Sequence, residues 1–244
     1  MKREFELLGR LQQFLLPKQL PQTKGVQFGA YYQPASDAGG DYYDVLPLAD
    51  QVYGVVVADV SGHGAPAAMN MGIARSILHT VSLSQETSPA KTMFFLNKLL
   101  CRLLGENAYI TMFYGILDMK QRTFTWSNAG HVPGYLKQPN AEAARPLGDP
   151  TNGPPLGWWP TAEFEEESIT LESSDLVLLY TDGVIEAVNM HDAMFESQRL
   201  EACITQAKPA DSDDTIQCIL KELMEHIGEN PLQDDVTLLS FSIS

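Results

Sequence analysis

The run VYGVVVADVSGHG, residues 52–64, constrains the fold more than any other stretch. Its apolar part reads as a buried strand, and it stops at Asp59 before a turn that contains Gly62 and Gly64. A carboxylate at the mouth of a buried strand is costly unless something compensates its charge. The same pattern recurs along the chain. LVLLYTDG carries an apolar run into Asp182, QDDVTLL sets Asp234 and Asp235 directly before one, and AGGDYYDV places Asp41 behind a glycine pair. One aspartate beside a glycine is an ordinary turn residue. Several at strand ends mean more, because if those ends converge each close pair repels by about 4 kcal/mol at an effective dielectric of roughly 20. These motifs contain no Lys or Arg, so a bound cation must balance them. Oxygen donors without Cys or clustered His favour Mg²⁺ or Mn²⁺ over zinc.

The surrounding pattern is α+β. REFELLGRLQQFLLP places Phe5, Leu8, Leu11 and Leu15 at helical spacing, and Pro17 and Pro21 end that helix. Strands are predicted in VQFGAYYQ, YYDVLPL and VYGVVVADV, then helices over roughly 65–81 and 89–104. Strands return in YITMFYGILD, RTFTWSNAG and VPGYLK and, beyond the Pro/Gly-rich GDPTNGPPLGWWP, in FEEESITL and DLVLLYTDG. Two more helices lie between about 197 and 227, before a last strand in DVTLLSFSI. Strands in blocks and helices in pairs do not make alternating βαβ units. We expect an N-terminal linker or regulatory helix over 1–21 and one domain over 22–244.

Composition narrows the function. A net charge of −15 argues against a nucleic-acid partner. No apolar run approaches the roughly 20 residues that span a bilayer, and MKREFELLGR is not a secretory signal, so a cytoplasmic protein without a membrane partner is expected. Cys101, Cys203 and Cys218 are odd in number and far apart in sequence, which suits buried thiols rather than disulfides or zinc ligands.

Taken in order, GGDYYDV, ADVSGHGAPAA, FYGILD, SNAGHVPGY, PPLGW, YTDGVIEA and QDDVTLL span nearly the whole chain. Their ordered set resembles the SpoIIE-type branch of the metal-dependent protein phosphatases related to protein phosphatase 2C. The resemblance implies a protein phosphatase 2C-like sandwich of two antiparallel sheets flanked by helix pairs, with two Mn²⁺ or Mg²⁺ ions at one edge. It also implies Asp41, Asp59, Asp182 and Asp234 as metal ligands, the carbonyl of Val60 as a further oxygen, and Asp59 as the bridge between the ions. Asp44 and Asp235 are either supports or ligands of such a centre, or solvated turn residues. The implied activity is hydrolysis of phosphoserine or phosphothreonine on a bacterial signalling protein, in this branch an anti-sigma-factor antagonist. A partner-binding module without catalysis is the alternative, and retained clustered carboxylates speak against it.

Two metals can supply both a nucleophile and charge neutralisation, so no protein nucleophile is required. His63 resembles the family histidine beside the metal-binding aspartate and is either a general acid or a residue that packs at the turn. His131 in NAGH is read as structural. Trp158 and Trp159 either cover the core edge, the preferred reading, or dock a protein partner. FGAYYQPASDAGGD lacks the arginine that better-known relatives use to hold phosphate. The N-terminal helix begins almost at Met1 with apolar residues spread over more than one face, as if cut from an upstream sensor or receiver domain. It either packs on its own sandwich or pairs with a second copy in a homodimer or with that upstream domain, and then transmits a shift through the turn around Asp59.

Overall fold

The computed structural model describes residue 9 and residues 12–82, 88–105, 107–148, 153–207 and 211–244. Ten strands form two antiparallel five-stranded sheets. One has the order β1 (Val26–Gln33), β10 (Val236–Ile243), β9 (Leu176–Tyr180), β6 (Gly134–Lys137), β7 (Arg145–Leu147). The other has the order β2 (Tyr42–Ala49), β3 (Val52–Val60), β4 (Ile110–Asp118), β5 (Thr123–Ala129), β8 (Glu167–Thr170). Helices α1 (Ala65–Ser82) and α2 (Pro89–Leu103) cover the β3 sheet, and α3 (Glu196–Gln206) and α4 (Ser212–Ile227) cover the β10 sheet. The α+β sandwich expected from the sequence is therefore present. The short edge strand β7 was not foreseen.

Residue parity along the central strands builds the layers. Val55 and Val57 of β3 face the other sheet and share a core with Phe113, Phe124 and Trp126 of their own sheet and Val177, Leu179 and Phe241 of the facing one. Val56 and Ala58 face outward against Met71, Leu78, Met93 and Leu96 of the helices. β3 is thus buried on both faces, which is why its sequence is continuously apolar rather than alternating. Each such fully buried side chain contributes about 2 kcal/mol through removal of apolar surface from water. Ser88 caps α2 by accepting from the Lys91 N–H, and Pro89 occupies the first turn, where its missing N–H has no cost.

Register gathers the predicted motifs. β2 and β3 pair with Tyr42 opposite Ala58, so the chain enters β2 from Asp41 at the same edge where β3 delivers Asp59. In the other sheet Tyr180 pairs with Leu238, so Asp182 leaves β9 beside the start of β10, where Asp234 and Asp235 stand.

Three further expectations meet the structure here. Phe5, Leu8 and Leu11 lie outside the described residues, but Leu16 is buried in the core under α1 and Leu15 packs against it, so this part of the N-terminal segment rests on its own sandwich. The cysteines are free, yet only Cys203 is buried; Cys101 and Cys218 are half-buried. Cys203 and Cys218 bring their thiols near each other from α3 and α4, and burial raises both. None of the described helices is long and apolar enough to cross a membrane.

Candidate metal centre

The site is assembled from four strand ends. Asp41 is 1% exposed, and its Oδ2 accepts hydrogen bonds from Thr181 Oγ1 at 2.7 Å and Thr237 Oγ1 at 2.5 Å. The hydroxyls of the β9–β10 pair therefore reach across to the carboxylate of the other sheet. Thr181 Oγ1 also accepts from the Thr237 N–H at 3.1 Å, tying the two donors together.

Glycine at positions 39 and 40 is a steric requirement. A Cβ at Gly39 would lie 2.1 Å from Asp235 Oδ2, and one at Gly40 would lie 2.8 Å from Val60 O. The loop before Asp41 thus sits directly on the Val60 carbonyl, the predicted backbone ligand.

The carboxylates act on one another. Burial pushes the Asp41 carboxyl well above the usual carboxylate range, and the charges of Asp59 and Asp235 raise it further against the two threonine hydrogen bonds. Asp59 is raised to about 7, first by burial and then by Asp182, Asp234 and Asp235. Asp182 is raised by burial and then by Glu186 and Asp234. No lysine or arginine figures among the charges acting on these three. As they stand, no three His, Cys, Asp or Glu side chains among the described residues are close enough to cage an ion. All-oxygen donors whose ionised forms are mutually destabilised suit a hard divalent cation.

The other sequence candidates fall into place around this cluster. Asp235 is neither solvated nor idle: it is 7% exposed, Oδ1 accepts from the Ala35 N–H at 2.8 Å, and Oδ2 accepts from the Gly40 N–H at 2.6 Å. Asp44 is buried but faces α1, accepting from Tyr42 Oη at 2.9 Å and contacting His79 Nε2 at 3.0 Å, so it stands apart from the cluster. His63 is exposed on the turn behind Asp59 and has no hydrogen-bond partner among the described residues. Trp158 and Trp159 do not seal the core edge, since they are 51% and 56% exposed. The two rings lie 5.3 Å apart, tilted by 32°, and Trp158 lies 5.1 Å from Tyr109. Buried Asn97 holds the backbone beneath them through the Gly157 N–H and Trp159 O.

Sequence reasoning missed Gln12, Thr181 and Thr237. The threonines carried a faint signal, one directly before Asp182 and the other at strand spacing from Asp235.

His131 is structural, as read. It is 3% exposed, its Nδ1 meets Thr111 Oγ1 at 2.8 Å, and its Nε2 meets Tyr180 O at 3.0 Å, which steadies the end of β9 just before Asp182. With a carbonyl as partner, Nε2 donates and Nδ1 accepts from the threonine. Burial lowers its pKa from 6.5 to about 4. The unfolded chain therefore binds the extra proton first, and the stability from keeping this ring neutral is complete above about pH 6.5 and lost as pH falls toward 4. Between pH 7 and 4.5 the wild type should lose about 2 to 3 kcal/mol more than His131→Gln in denaturant titrations. Parallel pH curves would refute this.

Two packed antiparallel sheets, flanked by helix pairs and carrying an acidic edge, define the protein phosphatase 2C-like fold. The SiaA-PP2C domain of Pseudomonas aeruginosa superposes with a TM-score of 0.87 at 22% identity, over 100% of this chain and 97% of that one. The chain belongs to the Stage II sporulation protein E (SpoIIE) family, whose model matches residues 49–244. It is 28% identical to the phosphoserine phosphatase RsbU of Bacillus subtilis over 98% of this chain and 70% of RsbU. It is 29% identical to protein IcfG of Synechocystis over 97% of this chain, spanning 41% of that longer protein.

Proposed function

We propose that this chain is a Mn²⁺- or Mg²⁺-dependent protein phosphatase acting on phosphoserine or phosphothreonine. Its substrate is a bacterial signalling protein of the anti-sigma-factor antagonist class. The observation that carries this reading is that Asp41, Asp59, Asp182 and Asp234 lie within electrostatic reach of one another, with no lysine or arginine among the described residues figuring in the charges that act on Asp41, Asp59 and Asp182. Those carboxylates, with the Val60 carbonyl, would hold two ions. Asp59 is suited to the shared position because its charge acts on Asp41 and the charges of Asp182 and Asp234 act on it. Bound there, the ions would supply an activated water and neutralise the phosphoryl oxygens.

The chain's own residues do the rest. Thr181 and Thr237 orient Asp41, and Asp235 fixes the loop that presents it. The positive end of α1 starts directly behind the Asp59 turn and favours an anion. His63, on that exposed turn, would give a proton to a leaving group that approaches from solvent. Residues 1–21 form the regulatory segment through which an upstream sensor or receiver domain would act.

Phosphate release from a phosphoserine anti-sigma-factor antagonist, followed as Mn²⁺ is titrated, tests the reading; no metal-dependent release overturns it. A second expectation concerns substrate scale. Without an arginine in the first loop, small esters are gripped poorly, and remote protein contacts must provide orientation. kcat/KM for the folded phosphoprotein should exceed that for p-nitrophenyl phosphate by at least about 100-fold after correction for leaving-group reactivity. Equal efficiencies would contradict it.

A further inference from the structure

The loop that presents Asp41 is gripped from two sides. On one side Asp235 accepts from the Ala35 and Gly40 N–H groups. On the other stands Gln12, a residue with no place in any of the motifs. Its side chain is 4% exposed, Nε2 donates to Gly39 O at 2.6 Å, and Oε1 accepts from the Gly39 N–H at 2.9 Å. Nε2 also lies 3.4 Å from Tyr32 Oη. A primary amide satisfies a peptide N–H and C=O together through two atoms of one rigid plane, so the contact defines both the position and the plane of the Gly39 backbone. Around it the segment is packed tightly: a Cβ at Gly9 would lie 1.7 Å from Asp37 O. Further along, Leu15 reaches Gly72 of α1, its Cδ1 lying 3.2 Å from where a Cβ there would stand. The N-terminal segment thus touches the loop before Asp41 and the helix that follows the Asp59 turn.

We propose that Gln12 is a positioning residue of the metal centre, which fixes the Gly39–Gly40 backbone so that Asp41 meets a divalent ion without reorganising. The inference rests on the reading of Asp41 as a ligand. It extends the functional unit to the N-terminal segment, which like Asp41 itself precedes the 49–244 stretch that the family model matches. It also moves the contact point of the N-terminal segment from the Asp59 turn, where the sequence placed it, to the Asp41 loop. A buried amide that holds the backbone of a glycine pair, which is otherwise free to take many conformations, lowers the conformational entropy that metal binding would otherwise remove. Its loss should therefore weaken the ion's binding more than it slows the loaded enzyme.

The test compares the unaltered 244-residue chain with Gln12→Ala, Gln12→Glu and Leu16→Ala. Mn²⁺ binding is measured by calorimetry, thermal stability by melting, and turnover of p-nitrophenyl phosphate over a Mn²⁺ series. Both Gln12 variants should bind Mn²⁺ at least about tenfold more weakly, with kcat at saturating Mn²⁺ within about twofold of wild type. Gln12→Glu keeps the acceptor but sets a carboxylate against Gly39 O, so it should not rescue. Leu16→Ala, which removes buried apolar contact from the same segment, should lower the melting temperature without moving the Mn²⁺ affinity. Unchanged Mn²⁺ affinity in both Gln12 variants overturns the inference while leaving the ligand assignment intact. So does a Leu16→Ala affinity loss equal to theirs, which would make the effect one of segment packing alone. A wild type that binds no Mn²⁺ overturns the ligand assignment and this inference together.

Discussion

Asp59→Asn and Asp182→Asn should each lower Mn²⁺-dependent phosphate release by at least about 1,000-fold, a cost of about 4 kcal/mol in the barrier, and should raise the melting temperature of the metal-free protein. Both effects come from one cause. Asp59 is buried among the charges of Asp182, Asp234 and Asp235, and Asp182 is buried near Glu186 and Asp234. Without a metal that arrangement is a liability, since each ionised carboxylate is desolvated and repelled by its neighbours. Asparagine keeps the shape and removes the charge, so the metal-free fold gains. A relief of about 1 to 2 kcal/mol corresponds to a rise of about 2 to 8 °C for a domain of this size. With metal the balance reverses, because the amide is a weaker ligand for a hard cation than a carboxylate. Melting curves with and without Mn²⁺, beside turnover, decide the matter. Turnover within tenfold of wild type in both variants would remove these residues from the metal centre, and a fall in metal-free stability would show that they are not repelled as described.

Gly183→Ala should be strongly damaging. A Cβ at that position would stand 2.0 Å from Asp235 O and 3.3 Å from Asp234 Cβ. The obstacle is backbone, not the tip of a flexible side chain, and it belongs to the segment that starts β10, whose register against β9 and β1 is continuous. Relief would require the Asp182 turn and the Asp234–Asp235 turn to separate, which breaks the approach of the two carboxylates and the Thr181 contacts at once. We expect a loss of about 4 kcal/mol or more, hence a melting temperature lower by about 10 °C or an insoluble product. Gly105→Ala is the control, since a Cβ there meets nothing within 4 Å and the backbone is not in the left-handed region; it should melt within about 2 °C of wild type. Gly183→Ala melting within about 3 °C of wild type would show that the turn can yield.

Much of this protein was legible before any coordinates. Apolar runs that end at Asp59 and Asp182, or begin after Asp41 and Asp234, are local signals: hydrophobic burial sets the runs, and glycine and aspartate mark their ends. The helices were found within a few residues because amphipathic spacing is also local. β7 was missed because three residues at a sheet edge bury too little to leave a pattern.

What only the tertiary structure decided is how the carboxylates are held and which neighbours matter. Thr181 and Thr237 reach Asp41 across 140 and 196 residues of chain, Asp235 reaches Gly40 across 195, and Gln12 reaches Gly39 across 27. A hydrogen bond between a hydroxyl or amide and a distant loop has no period along the sequence; it exists only once two sheets are in register and packed face to face. The same holds for the choices the sequence left open. Asp44 and Asp235 look alike as aspartates near a motif, but strand parity sends Asp44 under α1 while the β10 turn sends Asp235 into the Asp41 loop. The tryptophan pair could have sealed the core, yet Asn97 holds the backbone and leaves the rings outside. Local chemistry thus determined which residues this protein brings to its functional edge, and packing determined how they are aimed, because aim depends on contacts between segments that the chain order keeps far apart.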